Sequence, residues 1–334
     1  MSADDLPRAT FAAGRPTDVI PAASESLWRM AWRQLRQNRL AMVCLVILCV
    51  YTGTWFYAEG VYWTAKIRGV IPNYKISHYE IRNEPPSRAH LLGTNFAGRD
   101  NLQQLVQGTR IAFEIGLLTS VIVIPLGFVL GALAGYFGRK LDSAIVYLYS
   151  VVASVPDILL IMSIAYVTRS AVDRSPAMQS VTRYIDSGLL AICVGMGFTG
   201  WVGLCRIIRG EYLKHRERQY VLAARALGAS HGSIMFRHIA PNVAHLIIIN
   251  FSLRFPNLIL AEVVLSYLGI GIANEPSWGT IINDAKQRLW LGNWWELGGA
   301  TIAMFFLVLA LNIFGDALRD ALDPKLRTAE AKTG

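Results

Sequence analysis

The chain has 334 residues, of which 53% are hydrophobic and 16% are charged, and its mean hydropathy is +0.37. This balance, together with long charge-free runs, is typical of an integral membrane protein and excludes an ordinary soluble enzyme of this length. The net charge of +9 would suggest nucleic-acid binding in a soluble domain, but Lys and Arg also accumulate in the cytoplasmic loops of membrane proteins. The four cysteines lie in or beside apolar runs without metal-ligand spacing, so they are interpreted as small hydrophobic residues.

The N-terminal region, residues 1–39, predicts a cytoplasmic tail followed by a helix on the membrane surface. Residues Met1–Leu27 are polar and contain no apolar core, so they are interpreted as a tail and not as a cleavable signal peptide. Residues Trp28–Arg39 place arginines at helical spacing beside tryptophans, which is typical of an interfacial helix. The uncharged run Leu40–Ala58 follows directly and is long enough to cross a bilayer as the first span.

The rest of the chain predicts five further spans. Their apolar runs are Ile115–Gly138, Ser143–Thr168, Gly188–Cys205, Val243–Leu268 and Leu297–Gly315. Residues 59–110 are predicted to form an external loop that folds over the outer face, residues 111–315 the core domain, and residues 316–334 a cytoplasmic tail. The fold class that follows is an all-α integral membrane protein with six transmembrane helices.

Six spans place both termini on one side of the membrane, and the positive charges indicate which side. Under this topology the cytoplasmic segments contain 19 Lys and Arg residues and the external segments contain 12, with Arg254 inside a span completing the total of 32. Because basic residues are retained on the inner side, this excess predicts cytoplasmic termini.

The polar interruption Arg206–Asn242 is predicted to be a cytoplasmic docking loop. It holds seven basic residues against two acids, yet some of its residues recur at the spacing of one helix face: Tyr220, Ala223, Ala224 and Leu227. Gly228 is expected to end this helix, Ser230 to cap a second one, and Pro241 to stop it. Two short helices joined at a glycine favour a surface that binds another protein. The alternative is a basic amphipathic segment that lies on anionic lipid.

No pattern typical of catalysis is found. The six histidines form no HExxH pair, and no GxxxxGK[ST] loop is present, so the chain is not expected to bind ATP itself. Gly127, Gly131 and Gly135 instead form a GxxxGxxxG row, which predicts close packing between membrane helices.

A polar face in the fifth span is the candidate translocation path. Asn250, Arg254 and Asn257 stand at i, i+4 and i+7, and Glu262 lies one further turn on, near the outer end. Ionisable residues inside spans are costly and indicate function by default. The hypothesis is that this face lines a hydrated path for a polar solute. The alternative is an internal ion pair that only fixes packing, between Arg254 and one of Glu114, Asp157 or Glu262.

The segment Gln219–Asn242 resembles the EAA loop of ABC-importer permeases, which inserts into a groove on the ATPase subunit and transmits its closure. By position, the resemblance implies ATPase-coupling roles for Ala223, Ala224, Gly228, Ala229, Ile239 and Pro241. Leu222 stands where the family motif has its glutamate, so any contact that needs a carboxylate is not carried over.

Further segments resemble the C-type permease subunit of dipeptide and oligopeptide importers: His90–Asp100, Gly108–Ile111, Leu265–Asp284, Gly315–Lys325 and Trp28–Ala58. The resemblance implies type I ABC-importer permease architecture, a place in the bacterial inner membrane, and peptide as the substrate. It also implies partners, namely a related B-type permease subunit, two ATPase subunits that bind ATP and Mg, and an external solute-binding protein. Membrane lipid is the surrounding partner, and no cofactor, nucleic acid or enzymatic activity of this chain is implied.

The transported solute stays open at this point, because related importers carry nickel chelates or antimicrobial peptides with the same subunit architecture. Two more remote alternatives are a membrane-embedded enzyme and a secondary transporter. The enzyme would need paired acids, a histidine motif or a Ser/Lys pair at membrane depth, and the secondary transporter would show symmetry between its halves. Neither pattern is found.

Overall fold

The computed structural model describes residues 27–175, 185–272 and 274–322, so the greater part of both predicted tails, residues 1–26 and 323–334, lies outside the described residues. The described residues form helices joined by irregular segments and contain no β-strand. The helices are α1 Leu27–Gln37, α2 Arg39–Arg68, α3 Asn101–Phe137, α4 Arg139–Ala153, α5 Asp157–Arg174, α6 Ser187–His215, α7 Gln219–Ala226, α8 His231–Tyr267, α9 Trp278–Ala285 and α10 Trp295–Leu322. Short 3-10 turns lie at Asn73–Lys75, Tyr79–Ile81 and Leu289–Leu291.

Within the described residues, five helices are long and apolar enough to cross a membrane. They are α2, α3, α6, α8 and α10. Helices α4 and α5 pass the same test only as a bent pair, and counting that pair as one span gives six. The predicted all-α membrane fold is therefore confirmed, with one of its spans broken.

The third predicted span, Ser143–Thr168, is wrong as a continuous helix. Helices α4 and α5 meet at an angle of 92° around Pro156. Proline has no backbone N–H and pushes the residue before it out of the helical region, so α4 stops before Val155. The second half begins at Asp157, whose side chain is exposed at the bend.

The first two spans are longer than their apolar runs predict. Helix α2 continues past Ala58 to Arg68, and α3 begins at Asn101, so the segment between these helices is 69–100 and not 59–110. Polar and aromatic pairs one turn apart sustain the added part of α2. Trp63 Nε1 donates a hydrogen bond to Glu59 Oε1 at 2.8 Å, and Lys66 Nζ donates to the Tyr62 hydroxyl at 2.8 Å.

The glycine row of α3 packs directly on α6, as the GxxxGxxxG pattern predicts. A Cβ at Gly127 would lie 2.9 Å from the Trp201 carbonyl oxygen, and one at Gly131 would lie 2.7 Å from that of Cys205. At Gly135 the corresponding distance to the Arg209 carbonyl oxygen is 2.6 Å. Larger side chains would force the two helices apart, so the row fixes their close approach.

The segment 69–100 is tied to the helices by a buried acid, Glu275, in the segment between α8 and α9. Glu275 accepts hydrogen bonds from the Tyr74 hydroxyl at 3.1 Å, from Lys75 Nζ at 2.6 Å and from Arg110 Nη2 at 2.9 Å. Burial, and then the Glu275 carboxylate, raise the pKa of Tyr74, so its hydroxyl stays a donor at neutral pH. The segment is thereby held against the start of α3.

Helix α1 packs against the end of α10. Ala31 and Leu35 are buried with Ala321 and Leu322, whereas Arg29, Arg33 and Arg36 are exposed. The helix is therefore amphipathic, with one apolar face covered by protein and a basic face left open. Its contact with lipid headgroups stays a prediction.

Candidate coupling surface and solute cavity

The loop Arg206–Asn242 folds as two helical segments joined at a glycine, as predicted. Helix α7 ends at Ala226, and Gly228 adopts a φ of +81°, a left-handed conformation that favours glycine. The Ala229 N–H donates back to the Ala224 carbonyl oxygen at 3.0 Å and closes the end of α7. The Ser230 hydroxyl then caps α8 by accepting a hydrogen bond from the Ser233 N–H at 3.3 Å.

Pro241 does not stop the second segment, contrary to the prediction. Residues Ile234–Ile239 form a π-helix, and α8 runs on through Pro241 into the fifth span as far as Tyr267. Proline lacks an N–H donor and its ring crowds the preceding turn, so it is tolerated where that turn is wider than an α-helical one. The second helical segment of the loop and the fifth span are therefore one continuous helix.

The inward face of the loop packs on the cytoplasmic-side ends predicted for α3 and α6. Val221 and Ala224 of α7 are buried with Ile234 and Ile239 of α8 in one apolar cluster. The Tyr212 hydroxyl of α6 donates to the Met235 carbonyl oxygen at 3.0 Å and fastens the cluster. Ala224 and Ile239, two of the predicted coupling residues, therefore hold the loop in place and do not face outward. Ala229 is half-buried against the same cluster.

The outward face of α7 carries exposed apolar residues, which we name the coupling surface: Leu222, Ala223, Ala226 and Leu227. Leu227 is 88% exposed and Leu222 is 50% exposed. Gly228 and Pro241, also predicted to take part in coupling, are exposed nearby in the chain. The predicted stripe Tyr220, Ala223, Ala224 and Leu227 is thus not the packed face, because only Ala224 of this set is buried.

A second feature is a cavity of about 590 Å³ between α5, α6 and α8, which we name the Arg254 cavity. Arg254 and Asn257 line it from α8, Thr199 and Arg206 from α6, and Asp157 from the start of α5. Two of the four residues predicted for the translocation path therefore reach one cavity.

The other two predicted path residues lie elsewhere. Glu262 is 1% exposed and accepts a hydrogen bond from the Ser266 hydroxyl at 2.6 Å, so it belongs to the packed core beside α9. Asn250 is half-buried and does not line the Arg254 cavity. The spacing i, i+4, i+7 grouped Arg254 with Asn257, which the structure brings to one cavity, but it carried no information on where along the helix that cavity begins.

The ion pairs proposed for Arg254 do not form among the described residues. Glu114 pairs with Arg110 at 2.9 Å, and Glu262 is held by Ser266. The Arg254 guanidinium instead donates through Nη1 to the Gly200 carbonyl oxygen. Asp157 lines the same cavity but forms no ion pair with Arg254. The sequence analysis missed the role of Gly200 and Gly203, which face this guanidinium.

Comparison with known proteins shows the family of this chain. The model of the binding-protein-dependent transport system inner membrane component matches residues 127–328, and that of the N-terminal TM domain of oligopeptide transport permease C matches residues 26–86. The chain belongs to the family of binding-protein-dependent inner-membrane permeases of ABC importers. It is therefore a multi-pass inner-membrane transport subunit and not an enzyme.

Individual relatives cover nearly the whole chain. The dipeptide transport system permease protein DppC of Bacillus subtilis is 32% identical over 94% of this chain and 90% of its own length. The oligopeptide transport system permease protein OppC of the same organism is 32% identical over 93% of both chains. The glutathione transport system permease protein GsiD of Pectobacterium atrosepticum is 30% identical over 90% of this chain and 92% of its own.

Proposed function

We propose that this chain is the permease subunit of an ATP-driven importer that moves dipeptides and oligopeptides across the cytoplasmic membrane. Relatives named as dipeptide and oligopeptide permeases support peptide as the cargo. The proposed partners are a second, B-type permease subunit, two ATPase subunits that bind ATP and Mg, and an external solute-binding protein. Both termini and the loop Arg206–Asn242 are placed on the cytoplasmic side in this proposal, by the excess of basic residues there.

The observation that carries the proposal is the coupling surface. Large apolar side chains on a monomer's exposed face indicate a partner, and Leu222 and Leu227 protrude from a helix whose other face is fixed in an apolar cluster. Because that cluster includes residues of α3, α6 and α8, a force on α7 is passed to three helices at once.

The absence of the motif glutamate, where this chain has Leu222, is consistent with docking at the coupling surface. With Leu222 half-exposed at that position, the docking contact of this chain is apolar there, and burial of leucine replaces a charged contact. Closure of the ATPase pair on ATP would then move α7 and shift the spans between two arrangements. Only the difference in docking free energy between those arrangements drives the shift.

The test is reconstitution of the complete transporter with wild-type permease and with the variant Ala223→Asp. Ala223 is exposed on the coupling surface, so the variant is expected to insert normally and to lose both the ATPase subunits on co-purification and ATP-driven peptide uptake. Ala89→Asp, at an exposed alanine of the segment 69–100, is the matched control and is expected to retain both. ATPase binding at the wild-type level by Ala223→Asp would refute docking at this surface. Uptake of a nickel chelate without peptide uptake would reassign the cargo.

A further inference from the structure

Arg254 carries a charge inside a membrane helix and has no carboxylate partner among the described residues. Its direct contact is the hydrogen bond that Nη1 donates to the Gly200 carbonyl oxygen, and among the described residues the other N–H groups of the guanidinium have no acceptor. The second cation of the cavity, Arg206, differs because its Cζ lies 4.8 Å from the centre of the Tyr149 ring. Burying a charge at this depth is costly, so an arginine whose guanidinium contacts no carboxylate among the described residues indicates a ligand.

Two glycines of α6 form a seat for the Arg254 guanidinium. A Cβ at Gly203 would lie 2.6 Å from Nη2, and a Cβ at Gly200 would lie 3.1 Å from Nη1. A larger residue at Gly203 would therefore collide with the guanidinium and displace it. The seat holds the charged group at the wall of the cavity of about 590 Å³, where a solute can reach it.

We propose that Arg254 binds the carboxylate of the transported solute, which in a peptide is the C-terminal carboxylate; this rests on the proposed function. The guanidinium presents parallel N–H groups that match the two oxygens of a carboxylate, and such pairs are strong where water is scarce. Asp157 lines the same cavity with the opposite charge, so the ammonium group of the same zwitterion also has a partner there. Because every unmodified peptide has a C-terminal carboxylate, this contact does not depend on the side chains of the peptide.

A carboxylate has one other source, an Asp or Glu of the partner permease subunit. A partner acid would make Arg254 necessary for assembly, and its loss would affect all solutes equally. A solute carboxylate makes Arg254 dispensable for assembly, and its loss affects only solutes that carry that group. The two sources therefore predict different results for one pair of probes.

The probes are trialanine and its C-terminal amide, taken up by the complete transporter in proteoliposomes from the loaded binding protein. With Arg254→Gln, uptake of the free acid is expected to fall about tenfold while uptake of the amide stays within about twofold of wild type, given the strength of a charged hydrogen bond. The same binding protein delivers both probes, so its own preference cancels when the acid-to-amide ratio of the variant is divided by that of wild type.

Two further variants complete the test. Gly203→Ala keeps the charge but requires the guanidinium to shift from its position, so it is expected to lower the acid-to-amide ratio in the same direction and by less than Arg254→Gln. Arg36→Gln is the matched control, because it removes the same charge from an exposed arginine of α1 that does not line the cavity. It is expected to leave the acid-to-amide ratio unchanged.

The outcomes separate this inference from the proposed function. An equal fall of both probes in Arg254→Gln, unchanged uptake of trialanine, or loss of the second permease subunit on co-purification would overturn carboxylate binding by Arg254 and leave peptide transport standing. If wild-type transporter with its ATPase subunits bound takes up neither probe, the proposed peptide cargo fails, and the inference fails with it.

Discussion

Leu227 gives the sharpest test of the coupling surface, because almost all of its side chain is available for burial. It is 88% exposed, so docking of an ATPase subunit can cover nearly the whole side chain. Leu227→Ala removes three carbons, and at about 0.8 kcal/mol for each buried carbon the loss of docking free energy is about 2 kcal/mol. That corresponds to a dissociation constant roughly thirtyfold larger than that of wild type. Leu222 is 50% exposed, so Leu222→Ala is expected to cost about 1 kcal/mol, or about fivefold.

The assay is equilibrium binding of the purified ATPase subunit to the permease complex in nanodiscs. Ile67→Ala is the matched control, because Ile67 is an apolar side chain of similar exposure, 80%, near the end of α2 that is predicted to lie outside. It is expected to leave the dissociation constant unchanged. If Leu227→Ala binds the ATPase within twofold of wild type, the coupling surface described here is not the docking site.

Three further predictions concern the framework. Gly131→Leu is expected to prevent close packing of α3 on α6 and to lower the melting temperature of the purified permease, whereas Gly53→Ala, with nothing within 4 Å of the added Cβ, should not. Gly228→Pro fixes φ near −65° where the chain needs +81°, so ATPase co-purification should be lost while membrane insertion is retained; normal co-purification would contradict the glycine turn. Glu275→Gln leaves Arg110 with a weaker partner, so limited proteolysis within 69–100 should be faster than in wild type, and an unchanged rate would argue against this anchor.

The sequence predicted those parts of the fold that depend on residues close together in the chain. Charge-free runs located the spans, and the glycine row of α3 predicted its packing because three glycines four apart can face only one side of a helix. The roles of Gly228 and Ser230 were likewise predicted from the sequence, because a left-handed turn and a helix cap each depend on the residue at that position and its near neighbours in the chain. The bend at Pro156 could not be predicted in this way. Pro125 and Pro256 lie inside helices that continue, so a proline alone does not tell whether a span is broken.

The structure brings together only some of the residues predicted for each site. The stripe that includes Ala224 and Leu227 identified α7 as amphipathic, yet which side packs depends on Tyr212 and the rest of the cluster, which are distant in sequence. For Arg254, the sequence left open an ion pair or a solute path, because separation along the chain does not tell whether an acid lies within reach. The seat at Gly203 depends on how α6 and α8 cross, which no local pattern encodes.

The continuity of α8 has a mechanical consequence. The helix runs from His231, beside the coupling surface, to Tyr267, and Arg254 lies on it roughly 35 Å from His231 at 1.5 Å per residue. A displacement applied at the His231 end, which is proposed to lie on the cytoplasmic side, therefore acts on one continuous helix that no loop interrupts before Arg254. The π-helix Ile234–Ile239 lies on this path between the coupling surface and Arg254, and it is where the backbone hydrogen bonding departs from the α-helical pattern.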